Sequence, residues 1–303
     1  MVSVRAFAYS VAGVEPSVLR SIAANTKAHY QIRDRFDRGK RRRVMEPSPV
    51  LKAILKRINT SVLSKIELPA CVHSRRNGSP YSNASVHVGQ PWVVALDVKN
   101  FFPSIDAQRV YRVWREQVGF GDELSELLAR LTTCNGAVPI GAPTSSSIGN
   151  LVLVSADRTI SAACERDRDN YSRWVDDLSL SGEHCVRMIA FVMQVVRNNG
   201  FRISRAKIVV RGPGRQHIVT GFVVNGPRPT SRQDFLNRVR AEIARVEQQA
   251  GEEQTRLLRS IAGSLAYLQQ SNPGFVRRQW ERLPIKRLGT VLDRQETRRT
   301  SDS

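Results

Sequence analysis

The sequence predicts an α+β protein in which an antiparallel sheet carries helices to one side. Short apolar runs of strand length occur between residues 91 and 225, and segments with helical periodicity lie between them. Beyond residue 226 the pattern is helical throughout. We therefore expect three parts: residues 1–90, residues 91–225 with the sheet, and residues 226–303, which hold a helical region and a polar tail.

The composition indicates a folded protein with a polyanionic partner. The 303-residue chain is 41% hydrophobic, so it is long and apolar enough to bury sizeable cores. Its 47 Lys and Arg against 27 Asp and Glu give a formal net charge of +20, mostly from arginine, which suits phosphate contacts. Nucleic acid is therefore expected ahead of a membrane. The chain lacks an apolar run of the roughly 18 residues that span a membrane and a convincing signal peptide, which predicts a cytoplasmic protein without a membrane partner.

The cysteines and histidines do not have the spacing of a transition-metal site. Cys71, Cys134, Cys164 and Cys185 are scattered and form no C-x-x-C pair, and the five histidines form no H-E-x-x-H pattern. We expect the cysteines to be reduced packing residues.

A basic segment precedes the predicted sheet. Residues 27–57 hold eleven basic side chains and three acidic ones, so this segment is suited to phosphate contacts. Within it a helix is predicted to begin with Ser48 as N-cap and Pro49 in the first turn, and its apolar residues recur at helical spacing. One face of this helix is expected in the core and the other is basic.

The remaining elements follow from apolar periodicity and from turn residues. "PWVVALDVKNFFPSI" (91–105) predicts a strand ended by Pro103, and Gly200 is the predicted stop of a later helix. Helices are predicted at 110–118, 123–131, 148–164, 185–199, 230–249, 252–270 and 273–282, with a hairpin at 171–180 and strands at 207–210 and 217–225.

Three aspartates carry the strongest chemical signal. Asp97 lies near the end of the first strand, and Asp176 and Asp177 stand together in the hairpin "YSRWVDDLSL". A solvated turn is the commoner explanation for such a doublet. However, two carboxylates about 4 Å apart repel by about 4 kcal/mol at an effective dielectric near 20, so a partly buried pair needs a cation. If the two strands are neighbours, the carboxylates converge and could hold two Mg²⁺ ions for an in-line phosphoryl transfer.

Six short stretches of the sequence resemble motifs of a known family, the retron-type bacterial reverse transcriptases. The segments "ALDVKNFFPSI", "PIGAPTSSSIGN", "WVDDLSLS" and "SRAKIVV" resemble its motifs A to D. "SNASVH", with Asn83, Ala84 and His87, and "VTG", from Val219 to Gly221, resemble its two retron signatures. Each short motif alone is weak, but six in order, spanning about residues 30–282, are specific. The resemblance implies a right-hand polymerase fold, with fingers in 1–90, a palm in 91–225 and a helical thumb from 226.

The resemblance implies a catalytic centre made of the three aspartates. Asp97 and Asp176 would bind two Mg²⁺ ions, for which Mn²⁺ could substitute, with the backbone carbonyl of Val98 as another ligand. Asp177 would complete the carboxylate cluster. Lys207 matches the motif D lysine, a candidate for protonating or stabilising the pyrophosphate leaving group.

The resemblance also implies a dNTP site. Phe102 would crowd a ribose 2′-OH, although plain core packing beside Phe101 is the alternative. Lys40 and Arg42 would pair with the triphosphate, although both could simply solvate a basic loop. Beneath the base and sugar would lie a loop of small residues, namely Gly141, Ala142 and Pro143.

RNA-contacting or structural roles are implied for the remaining motif residues. Asn83 and His87 could be either RNA determinants or members of a satisfied loop network, and the second retron signature comprises Val219, Thr220 and Gly221. In the thumb, Arg277, Arg278 and Trp280 suit backbone contact and base stacking.

Three positions depart from the family pattern. Ile140 replaces the usual glutamine of motif B, which removes a side-chain amide near the sugar. Trp174 replaces the usual tyrosine of motif C, and Val175 stands where alanine is common. We expect altered geometry at the primer end with the metal chemistry retained.

The resemblance implies an RNA-directed DNA polymerase that binds a cognate structured noncoding RNA. It would prime from a guanosine 2′-OH and use dNTPs to make branched msDNA, in antiphage defence with a toxin or effector protein. Two alternatives remain: another bacterial reverse transcriptase, of the group II intron or abortive-infection type, or a catalytically idle RNA-binding scaffold. For a maturase the chain is expected to be too short, and the three retained aspartates disfavour the scaffold.

Overall fold

The computed structural model describes residues 2–37, 40–246 and 248–283, and the side chains of 35–37 and 40–42 lie outside that description. The helices are α1 (Val4–Phe7), α2 (Pro16–Ala24), α3 (Pro49–Ser61), α4 (Pro80–Ser85), α5 (Ala107–Arg112), α6 (Asp122–Thr132), α7 (Ser145–Val152), α8 (Val154–Arg166), α9 (Met188–Asn198), α10 (Gln233–Val246), α11 (Gly251–Leu268) and α12 (Pro273–Trp280). The strands are β1 (Tyr30–Asp37), β2 (Lys40–Pro47), β3 (Val93–Asp97), β4 (Asn170–Trp174), β5 (Asp177–Ser181), β6 (Val209–Arg211), β7 (Ile218–Val219), β8 (Phe222–Val223) and β9 (Thr230–Ser231).

A four-stranded antiparallel sheet forms the centre, in the order β4-β5-β3-β6. Side chains alternate between its two faces. Val94 and Leu96 of β3 and Leu178 and Leu180 of β5 point to one face and are buried in the main apolar core with residues of α3 and α5 to α9. The alternate residues, which include Asp97 and Asp177, lie on the other face.

The second face of the sheet meets α4 and a small sheet. Strands β7, β8 and β9 form this three-stranded antiparallel sheet. Val93 of the central sheet packs there with Ala84 of α4 and Phe222 of β8 in a separate apolar cluster. Short elements can be stable here because they share this cluster with the central sheet.

The N-terminal part supplies a hairpin and a capped helix. Strands β1 and β2 pair over their full length. Helix α3 begins as predicted, with Pro49 in its first turn and the Ser48 hydroxyl accepting from the N–H of Leu51 (3.4 Å). Four apolar residues of α3 are buried, which confirms its predicted amphipathic face.

The C-terminal helices have their own core. Apolar residues of α10, α11 and α12 pack together in a cluster distinct from that of the central sheet. All four cysteines are free and buried, as the sequence predicted. Within the ranges that the structure describes, every helix is too short or too polar to cross a membrane.

The predicted mixture of an antiparallel sheet with helices is confirmed, but some element bounds were wrong. The single helix predicted at 148–164 is two helices, because the backbone of Leu153 (φ −100°, ψ 0°) departs from regular α-helix geometry between α7 and α8. The strand predicted at 217–225 is a hairpin whose turn, Thr220–Gly221, has φ values of 45° and 90°. Apolar periodicity alone does not detect breaks of one or two residues.

The other elements end where local geometry dictates. The strand predicted at 91–105 stops at Asp97, well before Pro103, and the chain turns at Asn100 with φ 49°. The helix predicted at 110–118 starts earlier, because Asp106 caps α5, and it passes into a π-helical turn over Val113–Gln117.

Candidate active site

The strand register brings two of the three aspartates to directly opposite positions. Asp97 ends β3 and Asp177 begins β5, and the two residues are partners in the antiparallel ladder. Directly opposite side chains point to the same face, with Cβ atoms about 4.5–5.5 Å apart. Asp176 precedes Asp177 in the turn of the hairpin, and its carbonyl oxygen accepts from the N–H of Val98 (3.0 Å). Asp177 is exposed, whereas Asp97 and Asp176 are half-buried.

Lys207 lies against this acidic group. Its Nζ donates to both carboxylate oxygens of Asp97, at 2.8 and 2.9 Å. Lys207 lies in a turn that directly precedes β6, the strand beside β3. Its side chain is 59% exposed and that of Asp97 is 18% exposed, so water screens the ion pair. The structure therefore joins two residues that the sequence assigned to the same chemistry by separate motifs.

The donor atoms at this site fit a hard divalent cation. Opposed carboxylates supply oxygen ligands, which Mg²⁺ prefers, and the ammonium of Lys207 shows that the site attracts positive charge. Within the part of the chain that the structure describes, no cluster of three or more His, Cys, Asp or Glu side chains is arranged to hold a metal ion. The backbone of Val98, predicted to supply a carbonyl ligand, follows Asp97 directly and is held to the hairpin tip through its N–H.

Phe102 and Phe101 occupy the turn after β3. Phe101 is buried and Phe102 half-buried, with ring centroids 5.4 Å apart. Gly149 of α7 lies against both rings, since a Cβ there would come within 2.9 Å of Phe101 and 3.3 Å of Phe102. Because part of Phe102 remains accessible, its position fits the predicted steric gate as well as the packing alternative.

The loop of small residues attaches to strand β2. The carbonyl oxygen of Ile140 accepts from the N–H of Met45 (2.8 Å). Gly141 has φ +104°, and a Cβ there would lie 2.4 Å from Val44, so glycine is required on two grounds. Ala142 is buried and Pro143 half-buried beside it.

Strand β2 also carries the two predicted triphosphate ligands. Lys40 and Arg42 are backbone members of β2, so the Met45 contact attaches their strand to the loop at 140–143. Their side chains lie outside the described residues.

The first retron signature lies in the interior. Asn83 and His87 are completely buried. The ring of His87 bridges two strands, because Nδ1 lies 2.7 Å from the hydroxyl of Ser181 in β5 and Nε2 lies 2.7 Å from that of Ser172 in β4. Burial lowers the pKa of His87 to about 3, and nearby His73 adds to this effect. These contacts favour the structural alternative for His87, which joins the two strands of the acidic hairpin.

The second retron signature contacts the first and the C-terminal helices. In the hairpin Val219–Gly221, the Thr220 hydroxyl donates to the carbonyl of Pro80 in α4 (2.7 Å). The Tyr267 hydroxyl of α11 donates to the Thr220 carbonyl (3.1 Å), and the Tyr267 ring stacks on Phe222 with centroids 4.8 Å apart. Sequence alone gave no reason to bring these segments together.

The predicted thumb residues lie on α12. Arg277 and Arg278 are exposed, which suits contact with a polyanion. Trp280 is half-buried and packs against the C-terminal core, so only part of its ring is accessible. Trp174, the departure in motif C, ends β4 opposite Asp177 and is half-buried.

Sequence reasoning missed a buried polar network behind the hairpin. Arg173, with its side chain 0% exposed, pairs with Asp157 of α8 and contacts Asn150 of α7. The signal was available, since an arginine in a buried strand and an aspartate in an apolar helix each require a partner.

Comparison with known proteins finds several retron reverse transcriptases, while no family model matches the chain. Retron Ec86 reverse transcriptase of Escherichia coli is 26% identical over 218 residues, which cover 71% of this chain and 68% of that protein. Retron Mx65 reverse transcriptase of Myxococcus xanthus is 32% identical over 264 residues, covering 80% of this chain and 60% of that protein. Retron Se72 reverse transcriptase of Salmonella heidelberg is 32% identical over 178 residues, covering 56% and 47%.

The chain thus spans between 47% and 68% of the length of these three relatives. Each match covers more than half of this chain. These likenesses agree with the order of the six motifs and with the opposed aspartates of β3 and β5. The chain is thus similar to retron reverse transcriptases over 56–80% of its own length.

Proposed function

We propose that this chain itself catalyses RNA-directed DNA synthesis at the end of the central sheet. The observation that carries the proposal is the register of β3 and β5, which sets Asp97 opposite Asp177 with Asp176 at the adjoining turn. In this proposal β1 and β2 belong to the fingers, the central sheet is the palm, and α10 to α12 form the thumb.

Asp97, Asp176 and Asp177 would hold two divalent cations, with Mg²⁺ as the expected ion and Mn²⁺ as a substitute. Bound there, such ions supply Lewis-acid polarisation of the transferred phosphoryl group. The carbonyl of Val98 is a further candidate ligand. Lys207 donates from Nζ to Asp97 at the edge of this acidic group. When a cation takes its place, Lys207 would release Asp97 and stabilise or protonate the departing pyrophosphate.

The dNTP would lie between β2 and the palm. The attachment of β2 to the loop at Ile140 supports this position, since it brings the strand of Lys40 and Arg42 to the small residues 141–143. Phe102 would exclude a ribose 2′-OH from the same site. The lost amide at position 140 leaves recognition of the sugar to backbone and ring contacts.

A cognate structured RNA would be the template and primer carrier. The net charge of +20 and the exposed Arg277 and Arg278 support a polyanionic partner. We infer priming from a guanosine 2′-OH, a branched msDNA product, and a cytoplasmic role in antiphage defence with a toxin or effector protein. These finer statements rest on the family resemblance.

The test is to express the chain with its native flanking DNA, purify it, and treat its bound nucleic acid with RNase or DNase before a denaturing gel. A species that RNase shortens and whose remainder DNase removes is expected. It should vanish in Asp176→Asn/Asp177→Asn and persist in the control Asp167→Asn, a half-buried aspartate outside the site. RNA alone, unchanged in the double variant, would favour the RNA-binding scaffold and overturn the proposal.

A further inference from the structure

The hairpin that carries Asp176 and Asp177 turns through a strained residue. Val175, the first residue of the two-residue turn, has φ 56°. For a β-branched side chain this left-handed conformation is a genuine outlier that is energetically costly. Such a conformation persists only where the surroundings determine it.

Side chains bind both backbone polar groups of Val175. Its N–H donates to the hydroxyl oxygen of Ser74 (2.9 Å). Its carbonyl oxygen accepts from Nη1 of Arg173 (2.7 Å). Ser74 lies far from Val175 in sequence, in the segment before α4, so the turn is fixed from outside the hairpin as well as from within.

Arg173 is itself held on every side. Its Nε and Nη2 donate to the two carboxylate oxygens of Asp157, at 2.8 and 2.6 Å. Nη1 also donates to the side-chain oxygen of Asn150 (2.9 Å), and Nη2 donates to its backbone carbonyl (3.1 Å). The Arg173 side chain is 0% exposed and that of Asp157 is 1% exposed.

Asn150 connects the two ends of this network. Its side-chain oxygen accepts from the Ser74 hydroxyl (2.9 Å), and its Nδ2 donates to the Ser74 carbonyl (2.7 Å). Ser74 and Arg173 are therefore linked through one amide. We call Ser74, Asn150, Asp157 and Arg173 the tip clamp.

Stability alone does not explain the tip clamp. A buried ion pair is often no more stabilising than apolar residues of similar volume, because desolvation offsets the attraction. Apolar side chains, however, cannot form hydrogen bonds with the N–H and carbonyl groups of a strained turn. The geometry therefore points to a role in orientation.

We propose that the tip clamp positions the acidic hairpin for DNA synthesis by holding Val175 in its left-handed conformation. Its members are positioning residues, because they act through Val175. The inference rests on the proposed function. The four clamp residues are not among the positions to which the motifs assign a metal or nucleotide contact.

The test compares Ser74→Ala and Ser74→Thr in the full-length chain on a primed RNA template. We expect kcat of Ser74→Ala to fall about tenfold to a hundredfold, since small displacements of catalytic groups cost this much, with KM for dNTP within about twofold. Ser74→Thr restores the hydroxyl and should restore most of kcat. Thr133→Ala is the matched control, because it removes a buried hydroxyl that donates to the Ala129 carbonyl at the end of α6.

Hydrogen exchange of the segment 171–181 provides a readout besides activity. Ser74→Ala should speed exchange in this segment and Thr133→Ala should not. Wild-type kcat in Ser74→Ala, or unchanged exchange, would overturn the inference. A wild-type chain that makes no DNA but whose hairpin loosens in Ser74→Ala would instead refute the proposed function and with it the catalytic meaning of the clamp.

Val175→Gly separates orientation from general packing. Glycine adopts the left-handed region without cost, so the turn needs less external support. In the Val175→Gly background, Ser74→Ala should lower kcat by less than about threefold. Equal fold-losses in the two backgrounds would show that Ser74 does not act through the strained residue.

Discussion

Lys207 binds the carboxylate of Asp97. It is therefore the ion-pair partner of this aspartate and also a competitor of any metal cation that would bind there. The pair is largely exposed to solvent at Lys207, so its net contribution is at most about 1 kcal/mol. For Lys207→Met we expect slower DNA synthesis at saturating Mg²⁺, because a proton donor is lost. We also expect the Mg²⁺ concentration for half-maximal rate to fall about two- to fivefold, because a competing cation is lost. A magnesium titration of both proteins measures the two effects, and a rise in the Mg²⁺ requirement would refute the competition.

Replacement of Phe102 tests whether its ring excludes a ribose 2′-OH or only packs in the core. Phe102→Ala should raise ribonucleotide incorporation relative to deoxyribonucleotide incorporation about tenfold or more, because the ring no longer crowds a 2′-OH. Phe101→Ala is the matched control, since Phe101 is fully within the core and its loss should mainly lower stability. The ratio is measured with competing nucleotides on one template. An unchanged ratio in Phe102→Ala would assign the ring to packing.

His87 makes stability depend on pH. Its folded-state pKa is about 3 and its ordinary value is about 6.5, so between these values only the unfolded chain binds the proton. Stability contributed by the neutral ring is therefore complete above about pH 6.5 and is lost as the pH falls toward 3, up to roughly 4–5 kcal/mol.

Urea unfolding at pH 7, 6 and 5 measures this dependence. His87→Gln should be less stable than wild type at pH 7 and should lose less of its free energy of unfolding between pH 7 and 5. Identical slopes for the two proteins would contradict the assignment.

At the scale of elements, the two retron signatures form one junction. The turn Thr220–Gly221 rests on α4 through Pro80 and on α11 through Tyr267, so it connects the central sheet to the C-terminal helices. Hydroxyl and ring contacts of Tyr267 fix this connection.

Gly221→Ala tests this junction. Gly221 has φ +90°, and a Cβ there would lie 2.9 Å from the Tyr267 hydroxyl. Gly214→Ala is a matched control, because Gly214 also has positive φ (+76°) but open space around the added atom. Both variants should lose about 1 kcal/mol from backbone strain. Only Gly221→Ala should also shorten DNA products, measured by primer extension with an excess of trap template, and equal product lengths would refute the junction.

The sequence predicted elements well where a periodic pattern coincided with an end signal. Ser48 and Pro49 located the start of α3, and the doublet Asp176–Asp177 located the hairpin. The break between α7 and α8 at Leu153 and the turn at Thr220 were missed, because each changes only one or two dihedral angles inside an apolar run. The contact between Lys207 and Asp97 depends on strand order, and the role of Arg173 depends on a partner in another helix, so neither follows from spacing.

At the scale of the whole molecule, the protein combines separate apolar cores with a large basic surplus. The central sheet and its helices share one core and α10 to α12 share another, and Tyr267 joins α11 to the turn Thr220–Gly221. The chain has a net charge of +20, and the ends of β3 and β5 carry the acidic group that we propose as the cation site. A polyanionic template would neutralise the basic surplus and leave the acidic group available to cations.

The most direct test of the account is template-directed incorporation of dNTPs by purified wild type, Asp97→Asn and Asp122→Asn with Mg²⁺. Asp122 is an exposed aspartate bonded to Tyr111 and Arg115, so its replacement controls for the loss of one negative charge. We expect DNA synthesis by wild type and Asp122→Asn. Asp97→Asn should lose two or more orders of magnitude, since several kcal/mol of charge stabilisation are removed. Synthesis by Asp97→Asn at the wild-type rate would contradict the account.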